Sequence, residues 1–189
     1  MSRHLRPIRL TLAALVVLSA VAATAHQQPI NPDAKLLQDF QQRIDDYMAL
    51  HEKVAKGAAE LRPTKSPEAI KAAQENLAAR IRAERSAAKQ GDIFTPEIAR
   101  HIRRLLRPEL KGPDAAETKK AIKDDSPPGV PLKVNGPYTA DALPTVPPNV
   151  LLRLPRLPED LEYRIVGKDL ILRDVDANLI VDFIPGAIP

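Results

Sequence analysis

Four arginines carry the clearest chemical signal in this sequence. Arg100, Arg103, Arg104 and Arg107 step by three, one and three, a spacing that gathers them on one side of a helix, and Lys111 extends the stripe. A guanidinium fork matches the paired oxygens of phosphate and carboxylate. The stripe therefore predicts contact with an anionic partner, either an acidic protein or an anionic surface such as lipid headgroups. The plainer alternative is a solvated basic face, which Glu97 and Glu109 on the same stretch favour.

Other reactive residue types are present without a reactive pattern. His26, His51 and His101 lie far apart, and none falls in an HxxxH or HExxH spacing. His51 sits on the apolar stripe of a helix and reads as a core or helix-edge residue. His26 would become the N-terminal residue if a leader were removed, and its amine and imidazole could then chelate copper. That chemistry needs a second histidine held opposite, which the Gln27-Gln28-Pro29 context does not offer. Asp174-Val175-Asp176-Ala177-Asn178 opens like a calcium loop, but Leu179 stands where glycine is required and Pro185 where the bidentate glutamate belongs. It reads as a turn. There is no serine elbow, cysteine nucleophile, glycine-rich phosphate loop or metal triad. The sequence thus predicts a non-enzymatic protein with no cofactor and no metal ligands.

The elements that would position these residues are marked by a repeated phrase. Asn31-Pro32-Asp33, Ser66-Pro67-Glu68, Thr95-Pro96-Glu97 and Gly112-Pro113-Asp114 each place a capping residue before proline and an acid. The cap accepts from free N–H groups, proline at the first position wastes no donor, and the acid faces the positive end of the dipole. Four helices are predicted. The first runs from about Pro32 to Leu61, with Leu37, Phe40, Ile44, Tyr47, His51, Val54, Ala58 and Leu61 on one seam. The second, about Pro67 to Gln90, carries Ile70, Ala73, Leu77, Ile81 and Ala88, and should lie antiparallel to the first. The third spans about Pro96 to Lys111, with Ile98, Ile102, Leu105 and Leu106 opposite the arginines, and the fourth about Pro113 to Asp124.

Prolines then crowd residues 125–158, a density that predicts extended chain with neither helix nor sheet. The interleaved Val130, Leu132, Val134, Tyr138, Leu143 and Val146 suggest that this arm drapes over the helices. Beyond it the period changes. Glu162–Val166, Leu170–Arg173 and Leu179–Ile184 are rich in β-branched and aromatic residues and are separated by Gly167-Lys168-Asp169 and Asp176-Ala177-Asn178. They read as a three-stranded antiparallel meander, which must pack on the helices, on the arm or on a second copy of the chain. The expected fold class is α+β: residues 26–124 a helical hairpin or bundle, 125–158 a proline-rich arm, and 159–189 a small C-terminal antiparallel β-meander.

The first 25 residues read as a leader. Arg3, Arg6 and Arg9 precede a run of 14 small or apolar residues, Leu10 to Ala23, and Ala23-Thr24-Ala25 supplies a small-x-small cleavage site. The run falls short of the roughly 20 residues that cross a bilayer, so no transmembrane span is expected after cleavage, and no cysteine follows it to carry a lipid. A periplasmic or secreted protein is predicted. Of the chain's 28 basic and 24 acidic residues, the leader holds three arginines and no acid, leaving 25 against 24. Such a balance lacks the basic field that would hold nucleic acid. With no cysteine and no tryptophan, an exported body must be stable through aliphatic packing alone.

The tail, from Leu157-Pro158-Glu159-Asp160-Leu161 through Tyr163-Arg164-Ile165-Val166-Gly167 to Leu179-Ile180-Val181-Asp182-Phe183-Ile184-Pro185, resembles a C-terminal module of uncharacterised exported bacterial proteins. It is also similar to the β-meander that ends the RcnB-type periplasmic metal-homeostasis family. That resemblance implies an envelope location and a meander. The tail has no histidine, so none of that family's metal ligands can be placed on it. Two functions are expected from all this: an envelope protein acting through contacts with other proteins, surfaces or further copies of itself; and, as the runner-up, a periplasmic protein that responds to a metal or small ligand.

Overall fold

A computed structural model describes residues 31–57, 66–125, 132–138 and 146–189. The leader, His26, and Ala58 and Leu61 at the end of the first predicted helix lie outside this range. Three of the four cap–proline–acid phrases start helices as expected. Asn31 accepts from the Asp33 N–H at 3.0 Å at the head of α1 (Pro32–Lys56). Ser66 accepts from Ala69 at 3.3 Å at the head of α2 (Pro67–Glu84). Thr95 accepts from Ile98 at 3.4 Å at the head of α3 (Pro96–Lys111). The fourth phrase works differently. Gly112 closes α3, donating to the Pro108 carbonyl at 2.8 Å, and α4 (Ala115–Asp125) begins beyond the phrase.

Two helices end earlier than the periodicity predicts. α1 gives way to Gly57. α2 stops at Glu84, not Gln90, because Arg85 is needed elsewhere. Its guanidinium lies 5.0 Å from the centre of the Tyr47 ring and donates to Asn135 Oδ1 at 2.9 Å and to the Val181 carbonyl at 3.2 Å. α1 and α2 form the expected hairpin. Lys53 meets Glu84, and Arg80 lies over Gly57, an antiparallel register that carries the first half of α2 past the end of α1. Ile70, placed on the buried stripe by its spacing, is consequently 44 % exposed.

The arm is not uniformly extended. Pro148–Leu151 forms a one-turn helix, α5, with Pro148 in the first position where its missing N–H costs nothing. Residues 135–138 pair with the sheet: Asn135 and Tyr138 donate to the carbonyls of Ile180 and Asn178, and Ile180 donates back to Gly136. Proline density forbids long regular elements; it does not forbid a helix that starts on proline or a strip bonded at alternate residues.

The meander is present: β1 (Leu161–Val166), β2 (Asp169–Asp174) and β3 (Leu179–Ile184), antiparallel in the order β1-β2-β3. Gly167 takes φ +59° in the two-residue turn between β1 and β2. Both faces are covered. Leu161, Tyr163, Ile165, Leu170, Leu172 and Ile184 join a core with Phe40 and Ile44 of α1, Ile81 of α2, and Ile98, Ile102, Leu106 and Leu110 of α3. The opposite face buries Val166, Ile171 and Ile180 under Tyr138 of the arm. Of the three coverings the sequence allowed for the meander, the helices take one face and the arm the other.

A bulge sets the position of the sheet on the helices. Leu172 pairs with Asp182 but Arg173 pairs with Ile180, so Val181 is an extra residue in β3. Strict alternation would place Asp182 beside Ile180 under the arm. The bulge turns it to the helical side, where it is fully buried. Its Oδ2 accepts from the Ile93 and Phe94 N–H groups at 2.9 and 2.8 Å, and its Oδ1 accepts from Gly91 at 2.9 Å. One carboxylate thereby shapes the whole α2–α3 connection, with Gly91 at φ +93°, a conformation in which a side chain would be strained.

Replacing that carboxylate strands three loop donors. Asp182→Ala should cost about 3 kcal/mol, within the range for removing one partner of a buried charged group, and Asp182→Asn less. Urea unfolding reads the loss. Hydrogen exchange should quicken first at the amides of Gly91, Ile93 and Phe94; exchange that stays slow there would show the loop to be held by other contacts.

Candidate functional site

The arginine face survives folding as a depression. Arg100, Arg103, Arg104 and Arg107 line a hollow of about 670 Å³ with Pro32, Asp33, Leu36 and Glu97, where the start of α1 meets α3. Their duties differ. Arg100 pairs with Glu97 at 2.7 Å, one helical turn back. Arg104 reaches Asp33 at 3.1 Å and His101 Nδ1 at 3.0 Å, tying α3 to the head of α1. Arg103 donates to the Pro185 carbonyl at 2.7 Å and so holds the C-terminal tail. Arg107 is exposed and has no ion pair or hydrogen bond among the described residues. Glu109, which the sequence set against this face, does not screen it. It turns to α5 and accepts from Arg153 and Asn149 at 2.8 and 3.0 Å, bonds that hold its carboxyl below the usual range, led by the one from Arg153. The hollow therefore keeps four cations against two acids, and the exposed pairs within it are weak enough to yield to a ligand.

The calcium-like loop is a turn, as expected, with Asn178 at φ +45° closing it. Its first aspartate nevertheless has an unexpected role. Asp174 is fully buried and faces α1. Its Oδ2 accepts from the Tyr47 hydroxyl at 2.6 Å and meets His51 Nδ1 at 2.8 Å, while Oδ1 accepts from the Ala177 N–H at 2.7 Å. Tyr47 and His51 are four apart on one face of α1, which is why a single oxygen can gather both. The bond to Asp174 raises the His51 pKa against the opposing effect of burial, and the charges of Asp174, Asp160 and Asp176 add to the rise. Asp176 is itself pushed up, first by burial and then by Asp160 and Asp174.

Among the described residues, no group of three or more His, Asp or Glu is arranged to hold a metal ion. His51 is spent on Asp174, and His101, also buried, faces Asp33 at 3.4 Å.

Sequence reasoning placed the four arginines together but missed the buried carboxylates and a second hollow. That hollow, of about 600 Å³, lies between the segment 146–157 and β1. Its signal was present in Leu151-Leu152, two adjacent leucines in a proline-rich stretch, of which Leu152 is 84 % exposed.

The His51 shift gives stability a pH dependence with a definite sign. A folded pKa above the unfolded value of about 6.5 means that the imidazolium–Asp174 contribution is complete below that value and fades as pH rises through the folded pKa. Chemical denaturation should show stability falling as pH is raised from slightly acid to mildly alkaline. In His51→Gln that slope should flatten; an unchanged slope would assign the titration to another group.

Comparison with known proteins adds no relative: no family model, curated protein or solved structure matches the chain.

Proposed function

We propose that the protein is an exported, non-enzymatic component of the bacterial envelope that works by holding on to a partner, and that the arginine hollow is where it holds. The observation that carries this reading is the hollow itself: four arginines line one shallow depression, and Arg107 has no partner among the described residues. Guanidinium groups spaced along one helix suit the acidic side chains of an envelope protein, whose carboxylates they can bind in pairs. The leader pattern and the resemblance of the tail to exported proteins support the location. Asp174, Asp182 and His51, buried in the interior, hold elements together, which suits a rigid docking body.

Two measurements test this. The product recovered from the periplasm should begin at His26; a product that keeps Met1 and stays in the cytosol would overturn the location. A photo-crosslinking side chain at Glu97 should capture a discrete envelope protein in intact cells. Arg100→Glu with Arg107→Glu should weaken that capture by about tenfold or more without lowering the unfolding midpoint. Capture that is indifferent to both reversals would dismiss the hollow as the contact.

A further inference from the structure

We infer that the turn at residues 148–152 is a membrane anchor: its leucines enter the apolar layer of an anionic bilayer while Arg156 stays among the headgroups. Pro148, Leu151 and Leu152 stand at positions i, i+3 and i+4 and so share one side of the turn. That side faces solvent. Pro148 is exposed, and Leu151 and Leu152 are 48 % and 84 % exposed. The turn cannot relieve this by rolling over, because Val150 and Leu154 already fill the core from its other side. Asn149 fixes it further, donating to Glu109 and to Thr118 at 3.0 Å, and Arg153 donates to Glu109 at 2.8 Å. Adjacent leucines held outward on a pinned turn are what an interfacial anchor needs.

The backbone favours lipid over a protein partner. Hydrocarbon admits a segment only where its polar backbone groups are already satisfied. Here Leu151, Leu152, Arg153 and Leu154 donate in that order to the carbonyls of Pro147, Pro148, Val150 and Leu151, at 2.9 to 3.1 Å. Pro147, Pro148 and Pro155 carry no N–H at all. From Leu151 onward the tip therefore presents side chains and no free donors. A protein would also find little to hold: three apolar side chains fall well short of the roughly 800 Å² that each partner buries in a stable interface.

Charge selects the kind of bilayer. Residues 146–158 hold two arginines and no acid. Arg153 is matched by Glu109. Arg156, which borders the same hollow as Leu151 and Leu152, is exposed and has no partner among the described residues. One apolar signal gives only weak, reversible attachment, and a cation beside anionic headgroups supplies a second. Anchoring here leaves the arginine hollow free. Glu109, which faces α5, and Arg107 are two residues apart on α3 and so about 200° apart around it. A chain seated by its leucines turns Arg107 away from the lipid.

Because the chain has no cysteine, Leu152→Cys offers a single site for an environment-sensitive dye, and Ile70→Cys, at an exposed residue of α2, offers a control. With vesicles of phosphatidylcholine and phosphatidylglycerol, the dye at position 152 should shift to the blue and be quenched by nitroxides placed within the acyl layer. The dye at position 70 should do neither. In sedimentation of the unlabelled native product with the same vesicles, Leu151→Ser with Leu152→Ser should weaken binding about tenfold or more at an unchanged unfolding midpoint. Arg156→Glu should weaken it about fivefold or more, and should leave binding to pure phosphatidylcholine as it was. Arg107→Glu should have no effect, which separates this site from the arginine hollow. A dye at position 152 that stays in water, binding indifferent to the leucine pair, or binding lost with Arg107→Glu would each overturn the inference. So would a photo-crosslinker at position 152 that captures a protein and no lipid in intact cells.

Discussion

A carboxyl group taken out of water must be paid for with hydrogen bonds, and this sheet carries two of them, Asp174 and Asp182, on its helical face with no exposure at all. Stripping each of solvent costs several kcal/mol before any bond is made. Compensation comes only if particular donors arrive: the Tyr47 hydroxyl and His51 of α1 at Asp174, and the amides of Gly91, Ile93 and Phe94 at Asp182. Much of the architecture follows. The loop between α2 and α3 takes its shape from Asp182, α1 is held at a fixed rotation by Tyr47 and His51, and the sheet tolerates a bulge at Val181 because without it Asp182 would face the arm.

The aliphatic core could not impose this geometry by itself. Its residues are chiefly Leu, Ile and Val, with Phe40 and Phe94 stacked at a centroid distance of 5.9 Å as its one aromatic pair of phenylalanines. Aliphatic surfaces pack acceptably in many relative orientations, and hydrophobic volume alone gets a chain folded without fixing a unique arrangement. No disulfide narrows the choice, since the chain has no cysteine. The polar latches discriminate among those packings, because a rotated or slipped sheet would leave two buried carboxyl groups without their donors. Arg85 extends the same logic to the arm: cut loose from α2, it stacks on Tyr47, reaches the bulge carbonyl of Val181 and holds Asn135, so helix, sheet and arm meet at one guanidinium.

What could be read from the sequence was local in origin. The cap–proline–acid phrases gave the starts of α1, α2 and α3, and the spacing Phe40, Ile44, Tyr47, His51, Val54 gave the buried face of α1, because both depend on neighbours within a turn or two. The meander was legible from its β-branched runs and turn residues. What escaped depended on contacts distant in sequence. Asp182 looks like an ordinary polar residue in a strand until residues 88 to 91 positions away supply its donors. The early end of α2 reflects what Arg85 does in three dimensions, not its helix propensity. Glu109 was set against the arginines by sequence distance, yet it points to α5. A hint existed in the interruption of the apolar run Leu179-Ile180-Val181 by Asp182, since an acid amid a buried strand demands a partner.

The arginine hollow has one physical advantage as a docking surface. The arginine hollow is built on α3, whose opposite side is buried in the core through Ile98, Ile102, Leu106 and Leu110, and Arg103 and Arg104 are already held by the Pro185 carbonyl and by Asp33. Association loses affinity when loops and side chains must be ordered at the moment of contact. Here that ordering is completed during folding, by interactions on the faces turned away from the partner. A body latched in this way can leave cations open outside without losing its shape, and that division of labour between buried carboxylates and exposed guanidinium groups is what a protein that works by holding requires.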